Sequence, residues 1–151
     1  MILFPDKAQN DFLKAWIEKR LASTLGQCQC LAVVRDGRLL AVAAYNNYTT
    51  RDIELNFAAD HPRWATKQVV TWLLAYPFVQ LGTQRVTAKV KKSNKKARKL
   101  LVGVGFKEEG CHRHAAENLE TVFSYGMVRP EFMKRYMRNE QEVAACASTG
   151  R

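Results

Sequence analysis

Residues 85–107, RVTAKVKKSNKKARKLLVGVGFK, carry nine Lys or Arg and no Asp or Glu. Two periodicities meet in this stretch. Over 85–90 β-branched residues alternate with polar ones, the period of a half-buried strand, and over 95–102 the apolar residues recur at helical spacing. Ser93 and Asn94 stand between them as capping residues, and Gly103 and Gly105 follow as helix stops. A strand that runs straight into a capped helix commits the chain to helices laid on a sheet. The junction also gathers cations around a helix start, where uncapped N–H groups and the positive end of the dipole favour an anion.

The segments on either side fit that frame. Residues 11–25 place Phe12, Ala15, Trp16, Ile17, Leu21 and Leu25 at helical spacing, with Lys14, Glu18, Lys19 and Arg20 directed to water and Gly26 as the stop. Residues 30–34 and 39–45 are β-rich runs joined by Arg35-Asp36-Gly37-Arg38, a hairpin signal. Residues 53–57 alternate Ile, Leu and Phe against Glu54 and Asn56, which predicts a third strand of the meander. Asp60 and Pro62 predict a helix start there, and the Tyr76-Pro77 step predicts its end. Strands over 106–111 and 121–128 and a helix over 130–142 complete the chain. The expected class is α/β around a mixed sheet, a single domain over 1–143 with a flexible tail over 144–151.

Composition narrows the partners. The 151 residues, 47% hydrophobic and 25% charged, suit a soluble globular domain. A formal charge of +10, from 24 basic against 14 acidic residues, points to phosphate-bearing or acidic partners. The start, MILFPDK, lacks a signal-peptide layout and no apolar run is long enough to span a membrane, so the expected location is the cytoplasm. Cysteines 28, 30, 111 and 146 have neither redox nor common zinc spacing, and no metal site is expected.

Asn94-Lys95-Lys96-Ala97, then Leu100 and Gly105-Phe106-Lys107-Glu108-Glu109-Gly110, resemble the N-x-x-A/S…G-F-x-x-E-G signature of the GNAT (GCN5-related N-acetyltransferase) superfamily. Arg63-Trp64-Ala65-Thr66 and residues 123–129 resemble the cofactor loop and closing strand of its ribosomal-protein N-terminal acetyltransferase branch, and residues 76–82 look like small phage-encoded relatives. The resemblance spans 31–132. It implies a GNAT fold, a mixed, mostly antiparallel sheet flanked by helices, with acetyl-CoA as acyl donor lying in a V between the strands of Ile53 and Arg85. It further implies a pantetheine arm along the backbone of Phe57, Ala58 and Ala59, a pyrophosphate at Arg63, Trp64, Ala65 and Thr66, and contacts from Asn94 and Lys99. The family's Q/R-x-x-G-x-G/A loop is altered here: Asp60 and Arg63 replace the lead residue and the glycine, and Ala65 alone fits. Leu101 stands where many members place a tyrosine acid.

Acetyl transfer needs a neutral amine. Glu54, on the strand expected to flank the acceptor, is the candidate base, and Asn56 on the same face is placed to orient acceptor or water. An α-amine titrates near 7.7 to 8.0 and a lysine near 10.4, a gap of about 2.5 units or about 3.4 kcal/mol, which favours a protein N-terminus or another low-pKa amine. The competing expectation is a GNAT-fold protein without activity that binds nucleic acid or a partner protein; under either, a monomer or homodimer is expected. In that reading the lysines of 89–99 track phosphates and Trp64, Tyr45 and Tyr48 offer stacking surfaces.

Overall fold

The computed structural model describes residues 1–138; the expected tail and the last residues of the predicted C-terminal helix lie outside them. The chain begins with a two-residue strand, β1 (Ile2–Leu3), which was not predicted, and enters helix α1 (Lys7–Leu21). This helix starts earlier than its apolar pattern indicates, because Asp6 forms a capping box: its side chain accepts the Gln9 N–H, and the Gln9 side chain accepts the Asp6 N–H. Leu13 and Ile17 are the residues it buries. Phe12 and Ala15, expected in the stripe, face water. Ala22, in the left-handed region at φ 50°, ends the helix ahead of Gly26.

Strands β2 (Cys28–Arg35) and β3 (Arg38–Asn46) form the expected hairpin, with Asp36 and Gly37 both at positive φ, the geometry that matches strand twist. β4 (Asp52–Ala59) pairs antiparallel with β3. The next helix, α2 (Lys67–Ala75), begins well after Asp60: Thr66 caps it, accepting the Val69 N–H at 3.2 Å. Asp60 is therefore not a cap, and 60–65 is loop. At Tyr76–Gln80 the helix passes into a single π-helical turn, the structural form of the Tyr76-Pro77 break.

β5 (Arg85–Lys91) lies parallel to β4, and α3 (Lys95–Val104) follows as expected, with the Asn94 side-chain Oδ1 accepting the Ala97 N–H and Gly105, at φ 114°, closing it. β6 (Lys107–His112), β7 (Val122–Val128) and α4 (Arg129–Tyr136) complete the chain. The sheet order is β1-β2-β3-β4-β5-β7-β6, with β4–β5 the parallel pair. α1 covers one face of the β2–β3 half through Leu13 and Ile17 against Cys30, Ala32, Val42 and Ala44. The other face carries the larger core, in which α2, α3 and α4 pack on Leu31, Ala43, Tyr45, Val86 and Met127. α4 belongs to that core: Phe132 is fully buried and stacks on Phe78 at 4.9 Å. On the α1 side, β4, β5 and β7 carry Glu54, Asn56, Lys89 and Ser124, none of them buried.

The β6–β7 loop is fastened to the β5–α3 turn by one carboxylate. Glu120 accepts hydrogen bonds from the Ser93 hydroxyl at 2.7 Å, the Ser93 N–H at 3.1 Å and the Asn118 amide at 2.9 Å. Those donors hold its pKa down to about 2. The lowered value means that the fastening contributes fully above the ordinary carboxylate range and is lost as pH falls towards 2. A carbon-detected NMR titration is expected to find the Glu120 midpoint near 2, and Glu120→Ala is expected to raise amide exchange over 115–121 while leaving β5 protected.

Candidate active site

β4 and β5 pair at Asp52↔Arg85, Ile53↔Val86 and Glu54↔Thr87 and no further. Beyond that point each strand stays with its own antiparallel neighbour, β4 with β3 as far as Ala59 and β5 with β7 as far as Lys91. Neighbouring strands are rotated by the sheet twist, so the seam opens into a V. Its closed end is clamped by side chains: the Thr87 hydroxyl donates to Asp52 at 2.9 Å, and the Arg85 guanidinium lies 3.5 Å from the same carboxylate.

The open edge of β4 presents unpaired backbone. Asp60 N–H donates to Leu40 O at 2.9 Å, on the β3 side. Backbone groups alternate along a strand, so those of Ala58 also face β3, whereas Phe57 and Ala59 turn their N–H and C=O groups into the V. Of the three backbone positions expected to meet an extended ligand, two thus face the V, and Ala58 is committed to Val42.

A groove of about 1050 Å³ continues from this edge. One wall is Phe57 to Ala59 and the loop residues His61, Pro62, Trp64 and Ala65; the other is α3, through Asn94, Lys96, Lys99 and Gly103. Trp64 is buried against Phe57 with ring centroids 5.8 Å apart. Thr66 spends its hydroxyl as the α2 cap, and below it the Lys67 and Gln68 N–H groups have no partner among the described residues. Arg63 is exposed and is not part of the groove wall; its N–H donates to His61 Nδ1 at 3.1 Å.

Asp60, an unfavourable residue beside an anion, is neutralised by a residue that the sequence reading left facing water. Arg20 Nε and Nη2 contact the two Asp60 oxygens at 2.9 and 2.8 Å, across 40 positions of chain. The guanidinium also lies 3.4 Å from the Trp16 ring centroid, which holds it in place. The hydrogen bond from Arg20 lowers the Asp60 pKa below the usual carboxylate range.

A second cavity, of about 460 Å³, lies on the α1 side of the V. Glu54, Asn56, Lys89 and Lys91 rise from β4 and β5, and residues 21–25 and 115–117 close its sides. Arg20, Phe57, Asn94 and Ala97 line both cavities, so the two spaces meet across the splayed strands. Glu54 Oε1 lies 3.1 Å from Lys89 Nζ. Asn56 donates to Asn46 Oδ1 at 2.9 Å and to Ala44 O at 3.3 Å, and Asn46 in turn donates to Leu25 O. No tyrosine lines either cavity. Leu101 is buried in the core, as is Tyr45, whose hydroxyl donates to Leu73 O at 2.6 Å. Among the described residues no group of three or more His, Cys, Asp or Glu is placed to hold a metal, and no helix is long and apolar enough to cross a membrane.

This architecture, with its splayed parallel pair and a groove at the start of the following helix, is the GNAT acetyltransferase fold. Among solved structures, a chimera of the Vibrio cholerae spermidine N-acetyltransferase SpeG and hSSAT is 16% identical over 88% of this chain and 99% of its own, with a TM-score of 0.72. The Vibrio cholerae spermidine N-acetyltransferase in complex with CoA and spermine is 14% identical over 88% and 97%, with a TM-score of 0.66. A ribosomal-protein-S5-alanine acetyltransferase from Vibrio fischeri is 15% identical over 83% and 72%, with a TM-score of 0.62. No family model and no curated protein sequence matches the chain.

The pairing of Arg20 with Asp60 carries a direct test. Arg20→Ala leaves the Asp60 carboxylate uncompensated on the groove wall; with CoA taken as a phosphate-bearing probe of the groove, calorimetry is expected to find its affinity about tenfold lower in the variant, an effect of the size of one close charge–charge contact. Arg20→Ala combined with Asp60→Ala is expected to recover most of the loss.

Proposed function

We propose that the protein is an acetyl-CoA-dependent N-acetyltransferase that acts on a primary amine, a protein N-terminus or another low-pKa amine. The observation that carries this reading is the V itself: an unpaired strand edge with a groove on one side and a carboxylate-bearing cavity on the other, the two meeting at Phe57 and Asn94. The kinship that we read from the sequence, with N-terminal acetyltransferases and their small phage-encoded relatives, is the finer form of the same proposal.

The residues fit acetyl-CoA on physical grounds. Backbone groups of Phe57 and Ala59 offer strand-like hydrogen bonds to the amides of a pantetheine arm, with Ala58 holding the edge straight from the β3 side. Trp64 and Ala65 bring the loop to the groove, and Thr66 starts the helix whose free N–H groups favour a diphosphate. Lys96 and Lys99, three apart on α3, supply cations to its phosphates, and Arg63 adds charge at the edge of the loop. Asn94 stands where groove and cavity meet. When bound, acetyl-CoA supplies a thioester-activated acetyl group.

Glu54 takes the proton that an acceptor ammonium must lose, the neutral nitrogen then bonds the acetyl carbon as the carbon–sulfur bond breaks with its electron pair on sulfur, and the second proton that the nitrogen sheds on becoming an amide passes to water. Asn56 has both amide protons committed, so its Oδ1 is left to orient the incoming nitrogen. No proton donor is needed at sulfur, since a thiol of pKa about 8.5 leaves as thiolate near neutral pH, and this accommodates Leu101 in place of a tyrosine.

One observation favours the second reading, a scaffold that binds nucleic acid: Lys92, Lys95, Lys96 and Lys99 are exposed and have no carboxylate within ion-pair distance among the described residues. Two of the aromatic residues expected to stack on bases, Tyr45 and Trp64, are buried, and of that set Tyr48 alone is exposed.

Calorimetry with acetyl-CoA decides the first reading. Binding is expected, with at least a tenfold loss in Lys99→Glu, and no binding at all overturns it. Glu54→Gln is expected to lower kcat by a factor of roughly 10² to 10⁴, the usual range for removal of a general base, with acetyl-CoA affinity retained. Salt-sensitive binding of short duplex DNA without acetyl-CoA binding is the result that favours the scaffold.

A further inference from the structure

We infer that the acceptor carries a carboxylate close to its amine, and that Lys89 is the residue that selects it. This inference rests on the acetyltransferase reading and names its substrate class.

Glu54 is not free in the cavity. Its carboxylate is engaged by Lys89 at 3.1 Å, and that is the one ion pair Lys89 makes among the described residues. Both side chains belong to the wall. Glu54 is paired in register with Thr87, and Lys89, two residues further along β5, points to the same face of the sheet. An ammonium that bonds Glu54 Oε1 must displace the lysine, and one that takes Oε2 lies beside it. A purely cationic acceptor would then leave two like charges a few ångströms apart with one carboxylate between them, a costly arrangement in a partly enclosed space.

An amine with a neighbouring carboxylate exchanges both halves of the pair. Its ammonium takes the place of the lysine on Glu54, and its carboxylate takes the place of Glu54 on the lysine. The side chains are suited to the exchange. Lys89 is half exposed, at 51%, so its flexible stem can follow a new partner, whereas Glu54, at 22%, is held in the wall. Asn56 leaves Oδ1 as a second acceptor for the ammonium.

The remaining charges agree. Arg20 is committed to Asp60, and Lys91 stands beside Lys89 on the cavity wall, so the acids there, Glu54 and Glu117, are not in excess over the bases. A polycation finds no surplus of carboxylates, on a chain of formal charge +10.

Two sources share this chemistry, a free α-amino acid and a peptide whose first residue is Asp or Glu. Thiol release from acetyl-CoA is to be followed with free aspartate, a peptide beginning with Asp, the same peptide beginning with Asn, and spermidine. The expected result is at least a tenfold higher kcat/KM for a carboxylate-bearing acceptor than for the Asn peptide or spermidine; whichever of aspartate and the Asp peptide leads identifies the source. Lys89→Met is expected to remove the preference mainly through KM, and Lys89→Glu to turn it towards spermidine, with acetyl-CoA affinity in both variants equal to that of the unsubstituted protein as a check on folding. If acetyl-CoA binds and the Asn peptide or spermidine is used as well as the carboxylate-bearing acceptors, or none of the four is used, the inference fails and the acetyl-CoA site stands. If acetyl-CoA does not bind, the acetyltransferase reading itself fails.

Discussion

β4 is bonded to β3 along nearly its whole length and to β5 only over Asp52 to Glu54, and the rest of the site follows from that inequality. Two antiparallel ladders flank the seam, β3–β4 from Glu54 to Ala59 and β5–β7 along the whole of both strands. The twist between them is taken up at the single parallel seam, which parts once past the Asp52–Thr87 clamp. The parted edge leaves the backbone groups of Phe57 and Ala59 without a strand to bond. A ligand with amide groups along its length satisfies them, and the β3 ladder behind keeps them fixed. The open edge is thus main chain held in place by other main chain.

The charges around the V are arranged in opposed pairs. Asp60 would repel an anion in the groove, and Arg20 reaches across from α1 to cancel it, braced by Trp16. Glu54 would sit as a bare carboxylate in the other cavity, and Lys89 meets it from the neighbouring strand. Among the described residues Lys95, Lys96 and Lys99, exposed on α3, have no carboxylate within ion-pair distance. Asp60, at the start of the loop before α2, is therefore one half of a compensated pair, and α1, which covers the far half of the sheet, also shapes the electrostatics of the groove.

Elements whose stabilising contacts are local in sequence were legible. The β2–β3 hairpin was marked by Asp36-Gly37, the α3 start by Asn94 and its end by Gly105, because turn and cap geometry depend on a few adjacent residues. The alternation of 53–57 placed Glu54 and Asn56 on one face, where the structure has them. Boundaries went astray where two local signals competed. Asp60 and Pro62 look like a helix start, but Thr66 caps α2; Asp11 and Phe12 look like the first turn of α1, but the Asp6–Gln9 box starts it earlier. β1 is too short for any period to register. Arg20, on the outer side of an amphipathic helix, carries no mark that separates it from a solvated arginine.

The sequence alone determined the kinds of element, their order and the residue types offered at each face, since periodicity, caps and turns are encoded over a few neighbouring positions. The insertion of β7 between β5 and β6, the opening of the β4–β5 seam, and the meetings of Arg20 with Asp60 and of Glu54 with Lys89 were settled only in the tertiary structure. Each joins segments distant in the chain, and their contact depends on how ladders twist and pack in space, which no local pattern records.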